Sequence, residues 1–212
     1  MGASKTPSDR STPPQSPRKQ ERRNRDNSVM KEAIAIMAEK GYAATSIQEV
    51  ADRVGVLKGS LYHYFNSKEE LLFRILEESY LQMNAIEAEV DELELPPFDA
   101  LLEQIRRSSV WFLQNQERAH IFFTETKHLT DDRLTQAREW GRAFERRLSS
   151  LIVAGQEAGS IRSDVDQRLL TRFTIGAINN IRFWPSRPGG KQFTVDDLTD
   201  GVVLLVGDAL KS

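Results

Sequence analysis

The chain has 212 residues, 39% of them hydrophobic, and no cysteine, so it can bury a good core in at most two small domains and can form no disulfide. Its longest purely aliphatic run, residues 202–206, is far too short to span a bilayer, and the N-terminus carries no apolar signal segment, so a cytoplasmic protein away from membranes is expected. The net charge of -2 conceals an asymmetry: residues 1–26 carry seven Lys/Arg against three Asp/Glu, residues 27–75 six of each, and residues 76–212 sixteen against twenty-two, so a polyanion is drawn to the front end and repelled by the back.

Residues 1–26 are rich in Ser, Pro, Thr, Lys and Arg with almost nothing apolar, a composition expected to stay disordered. The cluster Arg18, Lys19, Arg22, Arg23 and Arg25 stands directly before the first helix, either as an arm along DNA or as a solvated leader. A helix is predicted over residues 28–40, burying Val29, Ala33, Ile36 and Met37 and ending at Gly41. Ser46, three residues before Glu49, then opens a second helix as a capping box, with Ile47, Val50, Ala51 and Val54 on one face. Gly55 ends it with the left-handed backbone a tight turn needs, and Val56 drops into the core.

A third helix is predicted over residues 58–64, with Leu61 and Phe65 inward. Lys58, Gly59, Ser60, Tyr62, His63 and Tyr64 remain for the outer side: a cation, a bare backbone edge, a hydroxyl and three aromatic hydrogen-bonding tips, a mixture suited to phosphates and base edges. This is the order of a helix-turn-helix. Ser67 with Glu70 caps the next helix, which carries Lys68 in its first turn, placed by charge for a phosphate.

Residues 29–72, with EKGY, TSIQEVA and GVLKGSLYHYFNSKEELL in unbroken succession, resemble the DNA-binding domain of the TetR family of transcriptional regulators. The resemblance implies an all-α protein: a basic tail at residues 1–26, a three-helix DNA-binding domain at 27–75, and a helical ligand-binding and dimerisation domain at 76–212. It also implies a phosphate contact from Thr45 or Ser46, beside their capping role.

From Lys68 the periodicity of Leu71, Leu72, Ile75, Leu76, Tyr80, Met83, Ile86 and Val90 predicts one helix to the break at Pro96 and Pro97. At 1.5 Å per residue it would be roughly 40 Å long, a rod joining the two domains. Further helices are predicted over residues 98–115, 117–126, 131–158 (closed by Gly159), 166–183 and from Thr194 onward, with a Gly/Pro loop at 185–190.

The last two helices carry more apolar surface than a monomer's surface helices need. Phe173, Ile178, Ile181, Trp184, Leu198, Val202, Leu205 and Val206 are expected to pair with the same helices of a second chain, the four-helix bundle the resemblance implies, or else to be internal core. One copy of a helix-turn-helix makes too few base contacts for ordinary operator affinity. The resemblance further implies a small-molecule site, for which Trp111, Phe122, Phe123, Trp140 and Phe144, with the polar Asn179 and Arg182, are the candidate lining; for most such aromatics the plain alternative is core. Residues 181–190, IRFWPSRPGG, resemble an arginine-aromatic-aromatic run ending in Pro-Gly-Gly from a TetR branch whose effectors are acyl-CoA thioesters, with Pro185 and Ser186 as a two-residue insertion.

His120, Thr124 and His128 share a helix face near Glu125 but lack a third strong ligand. Gly155 and Gly159 form a GxxxG in a charged helix, without membrane meaning, and GxSxG, Walker and GxGxxG patterns are absent. The expectation is therefore no enzyme, no cofactor and no metal. What is expected instead is a homodimeric, ligand-responsive regulator of double-stranded DNA, a repressor released from a palindromic operator by a small apolar effector such as an acyl-CoA. The alternative is an activator or architectural protein whose second domain only dimerises.

Overall fold

The computed structural model describes residues 17–184 and 192–212, with side chains from residue 24 onward. Helix α1 (Pro17–Ala44) starts well before residue 28 and is broken at Gly41, where φ is 81° and ψ 163°. Residues 17–26, expected to be disordered, are helical. Lys, Arg, Gln and Glu are good helix formers, Pro17 suits a first turn, and the Asp26 carboxylate holds Arg74 at 3.0 Å.

Helix α2 (Ile47–Val54) is capped by Ser46, which accepts from the Glu49 amide, and closes at Gly55 with φ 74°. Helix α3 is a single turn, Lys58–Leu61. It falls short of the expected residue 64 because Tyr-His-Tyr-Phe is a run of weak helix formers; the chain curls on as the His63 and Tyr64 amides donate to the Ser60 (3.3 Å) and Leu61 (2.8 Å) carbonyls. Helix α4 (Lys68–Asp91) starts on the Ser67 cap and stops short of residue 95. Then follow α5 (Pro97–Gln114), α6 (Gln116–Glu125), a 3-10 turn (Thr126–His128), α7 (Asp131–Glu157), α8 (Gln167–Asn180), a second 3-10 turn (Ile181–Phe183) and α9 (Val195–Leu210). The predicted loop at 185–190 lies outside the described residues.

Two cores hold these helices. The second is built from α5, α7, α8 and α9, with Met83 and Ile86 of α4 against it. The first gathers Val29, Ile36, Met37, Val50, Leu61, Phe65, Leu71 and Ile75, and it also takes in Ile121 of α6, Leu129, and Ala137 and Trp140 of α7. The reading head is thus not carried at the end of a lone rod. It is seated on α6 and α7.

Of the residues expected at a dimer interface, Ile178, Ile181, Leu198, Val202 and Val206 are buried in the second core of their own protomer. The apolar stripes of α8, the 3-10 turn that follows it and α9 are broad enough to serve two faces, and these five lie on the inner one. Phe173, Trp184 and Leu205 lie on the outer face, 51%, 41% and 63% exposed, beside the equally exposed Leu169, Phe183 and Leu204.

Candidate DNA-reading face and effector cavity

Around α3 the exposed surface consists of Leu57, Lys58, Gly59, Tyr62 and His63, with Ser60 and Tyr64 half-buried beside them. Buried Leu61 and Phe65 pin the segment from beneath. Leu57 was not singled out from the sequence, yet it is 81% exposed and occupies the N-cap of α3 without a side-chain cap bond. A Ser, Thr or Asp normally stands there, and the departure was the available signal.

Three expected phosphate ligands are placed unequally. Ser46 is exposed at the N-terminus of α2. Thr45 is only 2% exposed and donates its hydroxyl to the Gly41 carbonyl at 2.8 Å, so it fastens the end of α1 and does not reach outward. The Lys68 ammonium donates to the carbonyls of Tyr42, Ala43 and Thr45 at 2.9, 3.2 and 3.0 Å and sits 4.4 Å from the Tyr42 ring centroid. It caps the negative end of α1, and that role engages the charge expected to meet a phosphate.

Behind the reading head, between α4, α5, α6, α7 and α8, lies a cavity of ≈ 170 Å³ whose lining includes Trp111, Phe122, Phe123, Trp140, Phe144 and Asn179. A void of this order admits a benzene-sized group. Trp140 stacks on Tyr80 at 5.1 Å and leans on Phe73 at 5.4 Å, while Trp111 donates its indole N–H to Gln82 at 2.8 Å. Arg182, expected in the lining, stands at the edge: its guanidinium lies between the Phe123 and Phe183 rings, 4.1 and 4.2 Å from their centroids, and donates to the Asn179 carbonyl. Its Nε is buried without a partner, and burial pushes its pKa down. Glu87 also lines the cavity; burial, with Asp91 adding to it and Arg147 opposing, holds its carboxyl above the usual range. A wider groove of ≈ 580 Å³ beside α1 has a mixed wall, with Asn27, Lys31, Glu78, Glu117 and Arg118 beside Met30, Ile34 and Leu113, and no aromatic side chain lines it.

Residues 29–75 match the family described as bacterial regulatory proteins, tetR family, and residues 94–210 match the tetracyclin repressor-like C-terminal domain. The chain belongs to the TetR family of transcriptional regulators. Among TetR relatives it is 32% identical over 206 residues to the HTH-type transcriptional repressor KstR2 of Rhodococcus jostii, covering 95% of this chain and 98% of that one. The structure of the ketosteroid transcriptional regulator KstR2 of Mycobacterium tuberculosis is similar at TM-score 0.80 and 25% identity, over 89% of this chain and 95% of that chain. AibR has the same fold, at TM-score 0.75 and 23% identity over 85% and 97% of the two chains. Among the described residues no helix is long and apolar enough to cross a membrane.

In this TetR chain the reading head and the cavity meet at α6. Phe122 and Phe123 wall the cavity. A few residues on, Glu125, 7% exposed, accepts the Tyr42 amide N–H at 3.2 Å and the Thr124 hydroxyl at 3.0 Å. His128, considered above as a metal ligand, stacks on Tyr42 at 4.9 Å with Nε2 3.3 Å from Glu125. Glu69 at the start of α4 accepts the backbone N–H and hydroxyl of Thr130 at 2.9 and 3.0 Å. The turn between α1 and α2 is therefore tied directly to the helix that lines the cavity.

Proposed function

We propose that this chain is a homodimeric repressor, without enzymatic activity, that acts in the cytoplasm on a palindromic operator and is released when a small apolar effector enters the aromatic cavity. An acyl-CoA thioester is the leading effector class. The observation that carries this reading is Trp140, which lies in the core of the reading head and in the wall of the cavity at once. A ligand that displaces its ring must repack the head. The KstR2 relatives are named as transcriptional repressors, one of them as a ketosteroid transcriptional regulator, and AibR was determined with isovaleryl coenzyme A and operator DNA. A domain that served only to dimerise would have no need of a cavity walled by seven aromatic side chains and a raised-pKa carboxyl.

On the DNA side, Leu57, Lys58, Gly59, Ser60, Tyr62, His63 and Tyr64 meet the major groove, and Ser46 meets a phosphate. The leading residues of a recognition helix reach base edges; Lys58 offers a donor to guanine or phosphate and Leu57 an apolar surface to a thymine methyl. The test is operator affinity, on a site obtained by in-vitro selection, with and without compounds that raise the melting temperature. Weakened binding is expected for every such compound that fills the cavity. A compound that binds there tightly and leaves operator affinity unchanged, or tightens it, would overturn the release mechanism.

A further inference from the structure

A second cleft lies beside the cavity and shares Glu145 with it. The cavity takes Gly141, Phe144 and Glu145 from α7 and Ile175 and Asn179 from α8. The next stretch of the same two helices forms a cleft of ≈ 440 Å³ lined by Arg142, Glu145, Arg146, Gln167, Arg168 and Arg172, among others. Glu145 belongs to both. From Asn179 back to Arg168 is roughly 16 Å along α8 at 1.5 Å per residue.

The cleft inverts the charge of its surroundings. Residues 76–212 are net negative, sixteen Lys/Arg against twenty-two Asp/Glu, yet four guanidinium groups and one carboxylate line this site. Arg142 and Arg146 share Glu139 at 3.4 and 2.7 Å, and Arg168 is held by Asp166 at 2.8 Å. Arg172 is exposed and makes no ion pair among the described residues. Glu139 and Asp166 hold three of these guanidinium groups and leave Arg172 without a carboxylate, and the planar donor forks of arginines gathered around one cleft match phosphate oxygens two at a time.

We propose that this cleft receives the phosphate-bearing head of an amphipathic effector whose apolar end occupies the aromatic cavity. Glu145, at the junction, accepts a hydrogen bond from an amide or hydroxyl of the connecting arm. The ligand class is then an acyl group joined by a polar arm to a phosphate or diphosphate, as in a coenzyme A thioester; an apolar acid or a sterol alone leaves Arg172 unmatched. This inference rests on the effector reading above and adds a head-group subsite to it.

The test is calorimetric titration of the full-length protein with a series of acyl-CoA thioesters and the matching acyl-pantetheine thioesters, which keep the arm and lack the phosphates. For the acyl group that binds best, the CoA thioester is expected to bind at least about tenfold tighter, with a gap that narrows as salt is raised. Arg172→Ala, and the double variant Arg146→Ala/Arg172→Ala, are expected to bring the CoA thioester down toward its pantetheine counterpart and to leave the latter's affinity unchanged. Equal affinities in the wild type, or equal losses of both ligands in the variants, would overturn the head-group site while leaving the effector reading intact. So would tight binding confined to apolar compounds without a phosphate. If no compound of either kind binds the cavity, the effector reading itself falls.

Discussion

Two residues at the leading end of α3 are poor choices for a helix, as expected if they face DNA in the way proposed above. Gly59 lies within α3, and a Cβ there would meet nothing within 4 Å, so packing does not demand glycine and its flexibility costs about 0.5–1 kcal/mol relative to alanine. Leu57 leaves the N-cap without its usual oxygen acceptor, a loss of about 1 kcal/mol relative to serine. We expect Gly59→Ala and Leu57→Ser each to raise the stability of the fold by about 0.5–1 kcal/mol and to weaken operator binding by about 1–3 kcal/mol. Thermal unfolding and fluorescence anisotropy read the two effects separately; operator affinity retained in both variants would remove these positions from the reading face. Lys68 teaches the opposite lesson. Its charge is plain in the sequence, but its three carbonyl partners on the far side of the α1–α2 turn are brought together only by the tertiary fold.

At the scale of the helix, local chemistry read from the sequence located the caps well and the lengths less well. Ser46, Gly55, Ser67 and Thr194 act where capping patterns put them, because a cap is a contact between near neighbours in the chain. The early start of α1 and the early end of α3 depend instead on weak propensities that an Asp26–Arg74 pair or a buried Phe65 can tip. Periodicity likewise showed that α8 and α9 are apolar without showing which arc turns inward. The structure divides α9 into buried Val202 and Val206 and exposed Leu204 and Leu205. We expect Leu205→Arg to leave the protomer folded and to yield monomers, since the charge is solvated in one chain and buried unpaired between two, a cost of several kcal/mol. Val202→Arg should instead unfold the protomer. Light scattering beside circular dichroism distinguishes the two, and a Leu205→Arg protein that stays dimeric places the interface elsewhere.

Across the whole molecule, the question is how a ligand behind the head is felt at the groove-reading end. The sequence suggested α4 as a rod, and α4 does supply Ser79, Tyr80, Met83 and Glu87 to the cavity. The structure adds a second and shorter route through α6, from Phe122 and Phe123 in the cavity wall to Glu125 at the Tyr42 amide. No local pattern could have revealed it, because the partners are 83 residues apart in the chain. Glu125→Ala removes the acceptor that ties α6 to the α1–α2 turn and leaves the aromatic lining in place. Its half-buried amide partner then lacks a protein acceptor, at up to about 1–3 kcal/mol of stability, so the comparison belongs well below the melting temperature. If α6 carries the signal, effector affinity of the free protein stays near that of the wild type, while the factor by which effector weakens operator binding falls from the usual range of about 5–150-fold toward unity. Linkage requires the factor by which operator weakens effector binding to fall equally, so the two titrations check each other. An unchanged coupling factor in both would assign transmission to α4 and to the Trp140 wall it shares with α7.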